Sequence, residues 1–206
     1  MMKNANNKPN TLILLHFEGN INNESEEIAI SQIGSATIRY WAYLFSQAIS
    51  ARNSGESNAV KLTGNPTSVI RSALNKGNYT LEFFLYCSSS SGNPNQISIN
   101  LPNGASLIFN GTTMTFASGN TITATIPRIN TSPHIAISVK NNHAMIFING
   151  VLTAEGDILP AQGEGDLLIY IGRDSSYTPY MDEFRLSRIP RYTENFAKPT
   201  APFELD

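Results

Sequence analysis

The residues best suited to chemistry in this 206-residue chain are aromatic. Tyr177 and Tyr180 lie three positions apart, with Arg173 and Asp174 just before them, in a polar stretch between two apolar runs. A sugar is held by stacking its C–H face on a flat ring while neighbouring polar groups take up its hydroxyls. That mixture makes Tyr177, Tyr180 and Asp174 the expected glycan contacts. Tyr40, Trp41 and Tyr43 form a second aromatic group, although a tryptophan is usually well buried.

Other chemistries find less support. His16, His134 and His143 share no metal-ligand spacing, and a packed side chain is the expected state of each. The single cysteine, Cys87, excludes an internal disulfide framework. It ends an apolar run without a recognisable activating partner and reads as a small buried hydrophobe. No Ser-His-Asp arrangement, P-loop or dinucleotide fingerprint can be read from the chain.

Charged residues make up only 15% of the sequence, the net charge is −2 and the pI about 5.9. No basic cluster is denser than Arg185, Arg188 and Arg191, which are expected to be solvated around a strand end. Neither nucleic acid nor an anionic membrane is therefore an expected partner. No apolar run approaches the ~20 residues of a membrane span. The opening MMKNANNKPN lacks the apolar core of a secretory signal.

These groups must be held by strands. Asn, Ser, Thr and Gly replace the missing charge, a bias that favours strands joined by turns over long surface helices. Alternating runs recur between hairpin signals such as Asn110-Gly111, Gly119-Asn120 and Asn149-Gly150. Thr11–Phe17 reads as a first strand with both faces apolar, Tyr79–Cys87 and His134–Lys140 as alternating strands, and Leu168–Gly172 and Tyr180–Ser187 as the closing pair. In the last of these, period two puts Asp182, Phe184 and Leu186 on one face and Met181, Glu183 and Arg185 on the other. Ile38–Ile49 fits a strand or a short helix and is expected to be extended. Glu155–Asp166 reads as an acidic loop, and the tail bearing Pro190, Pro199 and Pro202 as neither central strand nor helix. Roughly a dozen strands without a long helix predict an all-β fold of two packed antiparallel sheets. Residues 1–10 are expected to be a flexible arm and 11–206 a single domain.

Several of these stretches together resemble one family. Leu14-Leu15-His16-Phe17-Glu18-Gly19 is similar to the LLHFDG opening of laminin-G-like jelly-roll domains in the concanavalin A-like lectin/glucanase superfamily. Residues 77–84, GNYTLEFF, resemble the GDFTIEFWV strand of that family, and His134-Ile135-Ala136 through Phe147-Ile148-Asn149-Gly150 resembles its WHHIAL…LFVDG. MDEFRLS at 181–187, Arg191-Tyr192-Thr193, Asn195-Phe196 and PTAPF at 199–203 are similar to an ending typical of bacteriophage and prophage members. Pro133 stands where an aromatic is usual before the histidine, and Phe84 where a tryptophan is usual.

The resemblance implies a concanavalin A-like jelly roll. It also implies a structural Ca²⁺ near the end of the first strand, with Glu18 and Asp182 as the matching carboxylates. Asn20 and nearby backbone carbonyls would have to help complete the six to eight oxygens that calcium takes. Glucanases of the superfamily carry nucleophile and acid on an E-x-D-x-x-E strand. Glu155-Gly156-Asp157 and Glu164-Gly165-Asp166 lack the second glutamate, so no catalytic residue is expected. The expected function is a non-enzymatic virion component of capsid or tail, made without an export signal and bound to other virion proteins or to copies of itself. The rival expectation is a module that binds bacterial surface glycans.

Overall fold

The computed structural model describes residues 10–25, 28–33, 36–40, 45–51, 59–64, 68–87, 97–127, 131–160, 163–172 and 179–206. Apart from Asn10, the expected N-terminal arm lies outside the described residues, as do Trp41, Tyr43, Asp174 and Tyr177. The described residues form fifteen strands and one helix.

One sheet has eight strands. Its order is β13 (Val151–Asp157), β12 (His143–Ile148), β11 (His134–Lys140), β6 (Tyr79–Cys87), β15 (Pro179–Ser187), β4 (Gln47–Ala51) and β3 (Ala36–Tyr40), with β1 (Thr11–Leu15) also paired to β15. The second sheet has seven: β10 (Asn120–Thr125), β9 (Thr113–Ser118), β8 (Ser106–Asn110), β7 (Ile97–Asn100), β14 (Leu167–Gly172), β5 (Ala59–Gly64) and β2 (Ser31–Ile33). All pairings are antiparallel, as expected for an all-β sandwich.

The core lies between the sheets because strand alternation sends every second side chain there. Leu81, Phe83 and Leu85 of β6 and Ile135, Ile137 and Val139 of β11 join Ile99, Leu107, Phe109 and Phe116 of the other sheet in one buried cluster. Each such side chain contributes about 1.5–3 kcal/mol by leaving water. The turns that return the strands need left-handed backbone. Asn141, Asn142 and Asn149 supply it at φ 53°, 62° and 52°, and Gly150 at 82°.

Three elements depart from the sequence reading. In β15 strict alternation fails: Met181 joins Phe184 and Leu186 in the core. A bulge is the cause. Glu183 has φ 53°, and the register against β6 shifts between Asp182 and Arg185. The bulge also marks a change of partner, because Tyr180 and Met181 pair with β4 while Phe184 to Ser187 pair with β1. Second, the stretch expected to be an acidic loop from Glu155 is still strand as far as Asp157, as the outer edge of β12. Third, Ser68–Asn75 forms a helix, α1, that the reading did not anticipate. Its Ile70, Ala73 and Leu74 are buried at helical spacing, and Gly77 closes it with a bond from its N–H to the Leu74 carbonyl at 3.0 Å.

The tail after Ser187 is neither strand nor helix, as expected, and it folds back over the outer face of the eight-stranded sheet. The Arg191 N–H donates to Thr80 Oγ1 at 2.8 Å, and the Phe196 N–H to the Gly150 carbonyl at 2.9 Å. The Phe203 N–H donates to Glu183 Oε2 at 2.7 Å, and the Asn10 N–H to the Asp206 carbonyl at 2.7 Å. Tyr192 and Phe196 stack on each other at 3.6 Å and cover Phe147, while Phe203 covers Phe84. This strap corrects the expectation of solvated arginines: Arg185 is buried under it and the Arg191 side chain is only 13% exposed.

Candidate functional site

Three polar arrangements stand out on this frame. The first is at the β15 bulge, where Asp182 and Glu183 are both buried. Asp182 Oδ1 accepts the Glu183 N–H at 2.8 Å and Oδ2 accepts the Phe45 N–H at 3.3 Å. Burial pushes the Asp182 carboxyl up to about 8; the neighbouring Glu183 charge adds to this, the two N–H bonds oppose it, and the Glu18 charge contributes last. Glu18 itself is exposed and accepts the Gln47 N–H at 3.1 Å, so the structure brings it into the electrostatic neighbourhood of Asp182. Asn20 lies on the exposed turn, where its Oδ1 accepts the Asn22 N–H at 2.7 Å. Glu183 Oε1 lies 2.7 Å from His16 Nδ1, and that bond raises the His16 pKa against the cost of burial. The oxygens here are hard donors of the kind calcium takes. Among the described residues, however, no three His, Cys, Asp or Glu side chains gather in a metal-holding arrangement.

The second arrangement is buried under the strap. Glu82, on the outer face of β6, is fully buried. Its Oε1 accepts Arg185 Nε at 2.9 Å and Nη2 at 2.8 Å; its Oε2 accepts the Tyr192 hydroxyl at 2.8 Å and lies 3.1 Å from His134 Nε2. All four acceptor directions of the carboxylate are used. Burial alone would push Glu82 up, but the bonds from His134 and Tyr192 and the Arg185 charge outweigh it and leave Glu82 below the usual carboxylate range. Burial lowers His134 more than Glu82 raises it, so His134 is neutral with the proton assigned to Nε2. Its Nδ1, among the buried atoms without a hydrogen-bond partner, then carries only a lone pair. Such a group positions the tail and has no open face for a ligand.

The third is open. A cavity of about 570 Å³ lies between α1 and the segment before β14, lined by Ser68, Arg71, Ser72, Asn75, Lys76, Gly163 and Glu164. The helix creates it: residues 68, 71, 72 and 75 form the polar stripe opposite the buried Ile70 and Leu74. Arg71 Nη2 reaches the Glu164 and Gly165 carbonyls at 3.4 Å each, while Arg71 Nε and Asn75 Oδ1 are buried without a hydrogen-bond partner. The sequence reading missed the residues of α1 and met Glu164 and Gly165 only as part of an incomplete glucanase motif. The signal present was the spacing of Ile70, Ala73 and Leu74 ahead of Gly77, which marks a helix and hence its polar face.

A family model described as the concanavalin A-like lectin/glucanases superfamily matches residues 53–194. The chain belongs to this superfamily. No curated protein matches it. Among solved structures, the binding domain of botulinum neurotoxin DC in complex with SialylT aligns with a TM-score of 0.71 at 14% identity, covering 89% of this chain and 49% of that one. The same domain in complex with rat synaptotagmin II gives the same values. The binding domain of botulinum neurotoxin serotype C1 gives 0.71, 14%, 89% and 50%. The chain thus spans about half the length of these neighbours, and at this identity the likeness is one of fold.

As a member of this superfamily the chain has the jelly-roll sandwich expected of it. The acidic pairs compared above with the glucanase motif fall in two places. Glu155 and Asp157 lie on edge strand β13, where both contact the half-exposed His143, at 3.2 and 2.7 Å. Glu164 lines the cavity. Of the expected glycan contacts, Tyr177 and Asp174 lie outside the described residues. Tyr180 is buried, its ring 6.0 Å from that of Tyr86.

Proposed function

We propose that the chain is a carbohydrate-binding module of lectin type, without catalysis, that attaches its carrier to a bacterial surface. The observation that carries this reading is the cavity beside α1. Its volume falls within the range of ligand clefts. Its walls combine donors on Arg71 and Lys76, an amide on Asn75, hydroxyls on Ser68 and Ser72, and a carboxylate on Glu164. Sugar hydroxyls both donate and accept, so a wall of mixed polarity suits them better than a wall of one sign. The fold agrees, since one neighbour is described by a cell entry that depends on interaction with two ganglioside molecules and another as complexed with SialylT.

In this reading the carrier is a phage particle, on the strength of the DEFRLS, RYTENF and PTAPF stretches, and the partners beyond the glycan are virion proteins. Glu18 and Asp182, with Asn20, would hold a structural calcium, Asp182 giving up its raised proton as the ion binds. Mass spectrometry of purified particles checks the carrier: a gene product absent from them removes that part.

Glycan-array binding of the full chain tests the function. Arg71→Ala and Lys76→Ala are each expected to weaken the strongest signal about tenfold, equivalent to ~1.4 kcal/mol. An array without signal, or one unchanged by both substitutions, removes the cavity from consideration. For the metal, CaCl2 is expected to raise the Tm above that in EDTA, and Asp182→Asn to abolish the difference. Equal melting in the two buffers excludes structural calcium.

A further inference from the structure

The strap packs on one side of the sandwich only. The buried cluster between the sheets contains none of residues 188–206. The strap's rings belong instead to two small clusters on the outer face of the eight-stranded sheet. Tyr192 and Phe196 pack against Ala136, Met145 and Phe147, and Phe203 packs with Leu14 and Phe84. The strap can therefore leave while the core between the sheets stays closed.

His134 lies where those two clusters meet. Its ring centre is 5.0 Å from that of Phe84, 5.8 Å from those of Phe196 and Phe203, and 6.3 Å from that of Tyr192. Three of these four rings belong to the strap. The imidazole is fully buried, its Nε2 is committed to Glu82, and its Nδ1 has no hydrogen-bond partner. A second proton would have to enter on Nδ1, where neither an acceptor nor water meets it.

The charges around the ring oppose that proton as well. Glu82 of β6 is the carboxylate that faces it, and Glu82 is already shared with Arg185 of β15 and, at 3.7 Å, with Arg191 of the strap. Arg185 and Lys198 both repel a cation at His134. Tyr192, pushed above the usual phenol range, stays neutral. The neighbouring end of β12 brings Phe147, Ile148 and Asn149, none of them charged.

We infer that residues 188–206 form an acid-released latch: a second proton on His134 Nδ1 lifts the strap and uncovers the apolar face of Phe84, Ala136, Met145 and Phe147. Burial holds the His134 pKa below 6.5 while the strap is down. Lifting the strap returns the ring to water and to an ordinary value. Between those two values each unit of acidification raises the lifted fraction by up to ~tenfold, the linkage of a single proton. The other shifted groups around the strap keep their state as pH falls from 6.5 to 5. Asp206, held at about 2 by Arg191, and Glu82, also lowered, remain ionised. His16, raised, and Asp182, raised to about 8, are already protonated.

Amide hydrogen exchange of the full chain in EDTA, corrected for the intrinsic effect of pH on exchange, tests the latch. The strap amides of Tyr192, Phe196 and Phe203 donate to Ser138 Oγ, the Gly150 carbonyl and Glu183 Oε2. They are expected to be less protected than the amides of β6 and β11, and to lose protection about fivefold or more between pH 6.5 and 5. NMR titration of the His134 imidazole in the same samples is expected to give a midpoint below 6.5. His134→Gln keeps a donor for Glu82 but takes no second proton, so its strap protection is expected to stay constant over this interval. Strap and core amides equally protected throughout would mean that the strap leaves only when the chain unfolds, and this overturns the proposal. So does strap protection insensitive to pH, a His134 midpoint at or above 6.5, or an acid response retained in His134→Gln. Should that variant not fold, the imidazole titration and the two sets of amides decide the matter on the native chain.

Discussion

Replacing Glu82 by alanine is expected to cost about 3–5 kcal/mol of folding stability. The carboxylate is fully buried and satisfies Arg185, Tyr192 and His134 at once. Its removal leaves the Arg185 guanidinium buried without a counter-charge. It also frees the strap, since Tyr192 is held there partly by its hydroxyl bond to Glu82. For a chain of this size the loss corresponds to a Tm lower by roughly 6–20 °C. Urea unfolding of three variants separates the contributions. Glu82→Gln keeps the shape but leaves Arg185 uncompensated, and is expected to lose less than alanine does. Glu82→Leu combined with Arg185→Leu removes both charges and is expected to be less destabilised than the sum of the two single changes. Glu82→Ala within 1 kcal/mol of the native chain would show the cluster to be incidental.

The cluster also shows which parts of the fold could be read from sequence. Core strands such as β6 and β11 alternate cleanly between turn residues, so their existence and inward faces follow from period two. Glu82 and Arg185 were placed correctly on strands, yet nothing local says that residues 188–206 return to cover them. That burial depends on contacts more than a hundred residues apart in sequence, such as Arg185 with Glu82. The β15 bulge was illegible for a different reason: its left-handed residue is Glu183, not the glycine or asparagine that signals such geometry. β13 was misread because edge strands carry solvated side chains, and Glu155-Gly156-Asp157 looks like loop when only composition is weighed. At the candidate site, α1 was passed over because its three apolar residues, Ile70, Ala73 and Leu74, are interspersed with serine, arginine and asparagine, and the cavity wall it forms was passed over with it.

Asp182 and His16 give the second large expectation, a loss of stability as pH rises from 6.5 to 9, measured in EDTA. The folded-state pKa of Asp182 is raised to about 8 from an ordinary 3.8. The folded chain thus holds that proton more tightly than the unfolded one, and the contribution is fully present below pH 3.8 and lost as pH rises to 8. The part falling between pH 6.5 and 8 is about 2 kcal/mol, at ~1.4 kcal/mol per unit. His16, raised by its bond to Glu183, acts in the same direction, its contribution present below 6.5 and lost through its folded pKa. His143, raised by its bonds to Asp157 and Glu155, also acts in this direction, with an effect that solvent screens at its exposed site. His134 is lowered, so its contribution is present above 6.5 and is lost only on acidification. Glu82 and Asp206, both lowered, lose theirs below their ordinary values of 4.5 and 3.8. Asp182→Asn mimics the neutral acid but surrenders one acceptor, for the Glu183 or the Phe45 N–H. It is therefore expected to be less stable than the native chain at pH 6 and more stable at pH 9. Parallel pH profiles for the two proteins, with no crossing, would mean that Asp182 is ionised throughout and that its two backbone bonds outweigh burial.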